Sequence, residues 1–349
     1  MGGGPAEEQV LILLPIPEPR ALLSSLRRHF PTVDFHYKQI QRSQTLHPSA
    51  WHGTTFLYTL FTFPEPSQAP KLRWIHLASA GSDHVQKLPI FTKTDIVVTT
   101  SSGIHGPQIA EWCIMTLLAH YHKYKLLHER QMNHDWNSNG LTDVRDMVKK
   151  TVGILGYGSI GRQVGRVAKA MGMDVLAFTA TEKDTDGKKK DHGFILPGTG
   201  DPDGNIPSKW YSGLDKQSLQ HFLSQNLDWL VISVPLTKET RHFLSGPEFK
   251  LLKGAFVTNI ARGPIIDQPA LVQALKDGQL AGAALDTTEP EPLPKDSELW
   301  DFPNVIVTPH VSGSGVDYMD RAFQVFTENL GRNLKGKKLL NVVDRRRGY

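Results

Sequence analysis

The run Val152-Gly-Ile-Leu-Gly156-Tyr-Gly158-Ser-Ile-Gly161 constrains what this chain can become more than any other stretch. Its first residues suit a buried strand. A G-x-G-x-x-G turn follows, and Arg162-Gln-Val continues as a helix. Strand, tight turn and helix in that order form a pyrophosphate cradle. Gly156 permits the sharp turn, Gly158 has no Cβ to hold a phosphate away, and Gly161 lets the helix close on its strand. The helix start then offers N–H groups and a partial positive charge to an anion. Ser159 and Ile160 stand in that first turn and count with the glycines as cofactor contacts. The spacing therefore points to a bound dinucleotide.

The chain has 349 residues, enough for about two domains. Short apolar runs at 10–14, 33–37, 55–61, 74–78 and 96–100 read as strands, with helical patterns at 20–30 and 82–88. Strands alternating with helices imply a parallel sheet covered on both faces. The first strand runs into Pro15-Ile-Pro17-Glu-Pro19, a poor phosphate cradle because proline has no N–H. One long helix is expected over 107–133, with Ile109, Trp112, Cys113, Thr116, Leu117 and His120 on one face. It would lead into a second domain or serve a subunit contact, and a homodimer through the 105–136 region is expected. A second α/β series has strands at 175–178, 229–233, 256–259, 282–285 and 305–308 and helices at 215–225 and 269–277. The polar stretch 182–213 far exceeds a connection of about 2–6 residues and reads as a flexible flap or a lid over the adenosine end. A closing helix over 316–334 and the run 339–343 would return to the first domain. The expected division is 1–104 with 310–349 against 105–309, which leaves a cleft for ligands.

Composition excludes several classes. One cysteine, Cys113, permits no internal disulfide and suits a reducing compartment, so the cytoplasm is expected. No apolar run reaches the length of a membrane span, and residues 2–8 lack the order of a signal peptide. The formal charge of +4 is scattered, and the clusters at 188–190 and 345–347 read as solvated surface without a nucleic-acid signature. No short metal-binding motif is present.

The type of dinucleotide depends on the end of the second strand of the nucleotide-binding series. A carboxylate there commonly holds the ribose 2′-hydroxyl of NAD and would repel a 2′-phosphate. The position falls at Thr179, and Thr181 and Lys183 follow. Two hydroxyls and an ammonium favour NADP(H) over NAD(H).

Three polar residues stand on turns after strands of this second series, where an open parallel sheet holds its ligands. They are Arg262 in Asn259-Ile-Ala-Arg-Gly263, Glu291 after Ala284-Leu-Asp286, and His310 in Thr308-Pro-His310. Taken singly, they read as a surface ion pair, a solvated carboxylate and a hydrogen-bonded structural histidine. Behind a dinucleotide turn they read together as a catalytic set.

These stretches, with Leu77-Ala-Ser-Ala-Gly81-Ser-Asp83 and Val234-Pro-Leu-Thr237, resemble the D-isomer-specific 2-hydroxyacid dehydrogenases, which include glyoxylate/hydroxypyruvate reductases. The pieces come in the family's order over about residues 72–343. The resemblance implies an α/β fold of two open parallel-sheet lobes, with a Rossmann domain inserted into a flavodoxin-like substrate domain. It implies hydride transfer between NAD(P)H and a small 2-oxo acid. Arg262 would grip the substrate carboxylate with its planar fork, and backbone N–H groups at Ala80 and Gly81 would bind the same group. His310 would give a proton to the forming alkoxide. Glu291 would orient the imidazole and balance its charge. Asp286 would contact the nicotinamide carboxamide. Pro235, Ile260, Ala261, Arg262 and His310 complete the expected cofactor surroundings. Thr287-Thr288 departs from the family pattern, and Glu289 is a rival to Glu291 by a shift of register. Trp300, Tyr318 and Met319 are candidates for an apolar substrate wall or for core. A dinucleotide-sensing co-repressor on the same fold is the alternative reading, and an enzyme of phosphite or phosphorylated sugar acids is a third.

Overall fold

Alternation at period two decides how the first strand is buried. Val10, Ile12 and Leu14 turn to one face of their sheet, Leu11 and Leu13 to the other, and all five are buried. A strand buried on both sides belongs in a parallel sheet with helices over each face. The computed structural model, which describes residues 8–42 and 44–349, contains two such sheets. Almost all of the 2–8 stretch weighed as a leader lies outside the described residues. One unit takes in the chain up to Ile104 together with Val316–Tyr349, and the other is His105–Gly315.

The first unit contains β1 (Glu8–Leu14), α1 (Arg20–His29), β2 (Val33–Gln39), β3 (Phe56–Thr59), β4 (Trp74–Leu77), α2 (Pro89–Thr92) and β5 (Val97–Thr100). Its strands are parallel in the order β2-β1-β3-β4-β5. The helix expected over 82–88 is instead a series of turns, and only Pro89–Thr92 is helical. Val85 and Leu88 bond three residues back, while the Ser82 and Gln86 side chains hold the Gly348 carbonyl. Those long-range bonds fix the segment where local helix bonds would otherwise form.

The second unit contains α3 (Gly106–Tyr121), α4 (Tyr124–Met132), β6 (Thr151–Leu155), α5 (Ser159–Ala170), β7 (Asp174–Thr179), α6 (Asp186–Lys189), β8 (Lys209–Ser212), α7 (Lys216–Leu223), β9 (Trp229–Ile232), α8 (Gly246–Phe249), β10 (Phe256–Asn259), α9 (Gln268–Lys276), β11 (Gly282–Leu285) and β12 (Val305–Val307). The last helix, α10 (Tyr318–Leu334), belongs to the first unit. The second sheet is parallel in the order β12-β11-β10-β9-β6-β7-β8. Chain direction across the sheet reverses between β6 and β9, the place where such sheets bind nucleotides.

Three expectations need correction. The helix over 107–133 breaks at residues 122–123, where Lys123 takes a left-handed φ of 57°. Its apolar stripe is nonetheless buried, with Ile109, Trp112, Cys113 and Leu117 packed in the cluster that holds Val152 and Ile154 of β6. The 182–213 insertion is no loose flap. It adds β8 beside β7, and the buried Arg162 of α5 donates to the carbonyls of Lys189 and Asp201. Asp201 in turn accepts from the Tyr157 hydroxyl at 3.0 Å and from the N–H groups of Asn205 and Ile206. The return to the first unit comes at Val316 rather than residue 310, because Asp286 binds the intervening turn. Past α10, Val342 bridges Thr99 antiparallel and the Val343 N–H donates to Val98 of β5. No helix of the described residues is long and apolar enough to cross a membrane.

A buried polar chain runs through the core of the first unit. The Trp74 Nε1–H donates to Thr99 Oγ1 at 2.8 Å, and Ser101 Oγ donates to the Leu77 carbonyl. His76 lies between, with Nδ1 2.8 Å from Thr99 Oγ1 and Nε2 3.1 Å from Ser101 Oγ. Because the serine proton is already committed, Nε2 carries the imidazole proton and Nδ1 accepts. Burial pushes the His76 pKa down to about 3. The unfolded chain takes up this proton near the ordinary value of about 6.5, so stability is full above that pH and falls as pH drops toward 3. Urea unfolding between pH 8 and 4.5 should show a fall that steepens below pH 6.5. His76→Leu should make that slope shallower by about one proton, or about 1.4 kcal/mol per pH unit.

Candidate active site

The glycine turn has the geometry of a phosphate cradle. Gly156 leaves β6 at φ 103°, and a Cβ there would stand 2.7 Å from the Ser233 carbonyl carbon and the Val234 nitrogen. A Cβ on Gly161 would stand 2.3 Å from the Gly156 carbonyl oxygen. Ser233 Oγ braces that carbonyl at 2.7 Å. A Cβ on Gly158, by contrast, would meet nothing within 4 Å. Two glycines are thus needed by the fold and the third keeps space open at the start of α5. These residues fit a dinucleotide, with Ser159, Ile160 and Gly161 forming the first helical turn.

At the end of β7 no carboxylate stands. The Thr179 hydroxyl donates to the Thr181 carbonyl at 2.8 Å, Thr181 is exposed and Lys183 is half-buried. Across the switch, Pro235 follows β9 in a turn closed by Thr240, whose hydroxyl donates to the Pro235 carbonyl at 2.7 Å.

Adjacent strands β10, β11 and β12 each release one of the three chemical residues at the same edge of the sheet. Arg262 follows β10 after the buried Ile260 and Ala261. The wholly buried Asn259 side chain shapes this turn, accepting from the Ala261 N–H and donating to the Arg262 carbonyl, both at 3.1 Å. The next residue must be glycine, since a Cβ on Gly263 would lie 1.9 Å from the Thr288 carbonyl oxygen. The loops after β10 and β11 therefore lock together.

Glu291 and His310 meet directly, with Nδ1 2.8 Å from Glu291 Oε1. Their side chains are 43% and 44% exposed, so the pair adds only about 0–1 kcal/mol to stability. Its consequence is orientation. A carboxylate on Nδ1 holds the proton there and leaves Nε2 for proton exchange. The rival Glu289 is engaged elsewhere, with Arg241 at 2.6 Å and His242 at 2.8 Å. Burial pushes the Glu289 carboxyl up, but these hydrogen bonds and charges prevail and hold it below its ordinary range.

His310 sits at φ 55°, a left-handed conformation that costs a non-glycine residue about 1–3 kcal/mol. Asp286, only 1% exposed, opposes that cost. Its carbonyl accepts from the His310 N–H at 2.9 Å. Its Oδ1 accepts from Thr308 Oγ1 and the Val311 N–H, and its Oδ2 from the Ser312 N–H and Oγ. Hydrogen bonds to a charged group each contribute about 1.5–3 kcal/mol, so the set outweighs the strain. A carboxylate has about four acceptor positions, and all four are filled within the protein. Asn259, Thr308 and Ser312 were not singled out from sequence, although Asn259 and Thr308 lie inside the quoted motifs.

In the first unit, Ala80 and Gly81 follow β4, and Ser79 Oγ donates to the Gly81 carbonyl at 2.8 Å. Tyr318 donates to the Ala78 carbonyl and Met319 packs on the core of the same unit. In the second unit, Trp300 is half exposed and donates to the Pro294 carbonyl.

A parallel sheet with a glycine cradle at its switch point, and an arginine and a histidine–glutamate pair on neighbouring strand ends, defines a dinucleotide-dependent oxidoreductase. The model of the D-isomer specific 2-hydroxyacid dehydrogenase NAD-binding domain matches residues 114–196 and 203–312, and the chain belongs to that family. It is 32% identical to a glyoxylate reductase of Thermofilum pendens over 77% of this chain and 74% of that protein. It is also 32% identical to a glyoxylate reductase of Aeropyrum pernix, over 83% of this chain and 82% of that protein. An NADPH-dependent glyoxylate/hydroxypyruvate reductase from Sinorhizobium meliloti, solved with NADP and sulfate, superposes with a TM-score of 0.75 at 25% identity, covering 98% of this chain and all of that one. The protein is an NAD(P)-dependent dehydrogenase acting on CH–OH groups.

Gly158→Ala should melt with the parent protein yet bind NADPH at least tenfold more weakly, a loss of about 1.4 kcal/mol, as titration of protein fluorescence will show. Gly156→Ala should instead lose more than about 1 kcal/mol of stability, because φ is positive and backbone atoms occupy the space.

Proposed function

We propose that this enzyme reduces a small 2-oxo acid of the glyoxylate or hydroxypyruvate kind to the D-2-hydroxy acid, with NADPH favoured over NADH. The observation that carries the reading is the His310–Glu291 pair, which directs a proton-bearing imidazole from the sheet edge that also carries Arg262. Relatives named glyoxylate reductase support the substrate class. The uncharged end of β7 at Thr179, with Thr181 and Lys183 beyond it, supports NADPH.

The residues divide the work as follows. Arg262 binds the substrate carboxylate with two parallel N–H groups and holds the 2-carbonyl in place. The reduced nicotinamide, when bound, supplies the hydride that C2 accepts. As charge builds on the carbonyl oxygen, His310 Nε2 delivers its proton there and becomes neutral. Glu291 keeps the other imidazole proton on Nδ1 and stabilises the charged form before transfer. Oxidation of the hydroxy acid uses the same groups in reverse.

A homodimer through the 105–136 region belongs to the same proposal. Met115, Tyr124, Leu127, Met132 and Trp136 are exposed there, and Leu127, Arg130, His134, Trp136 and Leu141 line a cavity of about 570 Å³. Apolar surface gathered in this way marks an association face. The single, buried Cys113 favours a cytoplasmic setting.

Loss of NADPH and NADH absorbance with a panel of 2-oxo acids tests the activity. Arg262→Ala and His310→Ala should each lower kcat/KM by at least about a hundredfold, and unchanged rates would overturn the reading. Sedimentation should show a dimer that Trp136→Ala combined with Met132→Glu converts to monomer.

A further inference from the structure

Glu289, two residues before Glu291, gathers the loops that follow three neighbouring strands. Its carboxylate oxygens take different partners, Oε1 the Arg241 Nη2 at 2.6 Å and Oε2 the His242 Nε2 at 2.8 Å. Both partners stand in the loop after β9. An ionised carboxylate only accepts, so Nε2 is the donor. His242 takes a left-handed φ of 48°, and its N–H donates at 2.8 Å to the Pro264 carbonyl in the loop after β10. The Glu289 N–H donates to Gln268 Oε1 at 3.1 Å, at the start of α9. One partly buried residue thus joins the turns after β9, β10 and β11.

Little freedom remains between Glu289 and Glu291. The Pro290 ring fixes one backbone torsion between them, and the Thr288 hydroxyl donates to the Pro290 carbonyl at 2.9 Å. Thr288 is itself buried, with its carbonyl against Gly263. Glu291 then meets His310 Nδ1 at 2.8 Å. We infer that Glu289 is a positioning residue for the Glu291–His310 pair, acting by tying the 286–292 loop to Arg241 and His242. This rests on the proposed role of His310. Exposed ion pairs add little to stability, so the consequence of the tie is geometric. With Glu289 released, Glu291 loses its fixed relation to Nδ1 and the imidazole its orientation. Arg262 is braced by its own neighbour Asn259, so substrate grip is independent of this device.

Glu289→Ala removes the tie and keeps Arg262, Glu291 and His310. In turnover, kcat should fall at least about fivefold, with KM for the 2-oxo acid and the Kd of NADPH within about twofold of the parent. Added to Glu291→Ala, the same change should cost less than about twofold, because no carboxylate is left to position. An equal loss in both backgrounds, an unchanged kcat, or a KM that rises while kcat holds would overturn the proposal. A Kd of NADPH that rises in step with the loss of kcat would place the effect at the cofactor and overturn it too. In the protein without cofactor, hydrogen exchange followed by mass spectrometry should accelerate over residues 236–243 and stay unchanged over α5. Unchanged exchange over 236–243 would overturn the tie itself. If the parent reduces no 2-oxo acid, the proposed function fails and takes the turnover effect with it, while the exchange result still decides whether Glu289 holds the loops together. Arg241→Ala, at an exposed residue, should give the same pattern to a smaller degree if Glu289→Ala does not fold.

Discussion

Where β6 ends, the chain passes so close to β9 that any side chain on Gly156 would overlap the backbone of Ser233 and Val234. This approach sets the position of α5, whose first turn closes over the Gly156 carbonyl with equal tightness at Gly161. Reversal of strand order beside that turn makes a crevice, and the crevice locates the cofactor. The parallel arrangement then places the ends of β10, β11 and β12 at one edge. Arg262, Glu291 and His310 stand at that one edge because their strands all point the same way.

Much of this was legible in the residues. The glycine spacing predicts the strand, turn and helix of the nucleotide site, because each glycine answers a steric demand that no other residue meets. Period-two burial marks β1 as a strand covered on both faces, because Val10 to Leu14 are apolar on both sides. Arg262, Glu291 and His310 could be named from their motifs. What lay hidden depended on distant partners. Nothing local in 182–213 announces that Arg162 and Tyr157 will hold it, and nothing near residue 122 marks the break between α3 and α4. Asp286 shows the limit from the other side. Its motif places it correctly at a strand end, but only coordinates reveal that its acceptor positions are filled by a turn more than twenty residues away.

The site contrasts two uses of a carboxylate. Glu291 stays accessible, where its ion pair with His310 adds little stability. Asp286 is removed from water, where an unpaired charge would be costly and a fully hydrogen-bonded one is rigid. The accessible carboxylate orients a side chain, and the buried one fixes the shape of a turn. The same division holds in the first unit, where buried His76 is kept neutral by its surroundings and titrates far from the working range.

The clasp between Arg162 and the inserted segment has a consequence for motion. Peeling the insertion away would break the hydrogen bonds that the buried Arg162 guanidinium donates to Asp201 and Lys189. Opening of residues 182–213 therefore costs more than opening of a loop without such bonds. The added length is thus fastened both to β7 and to the helix that follows the glycine turn.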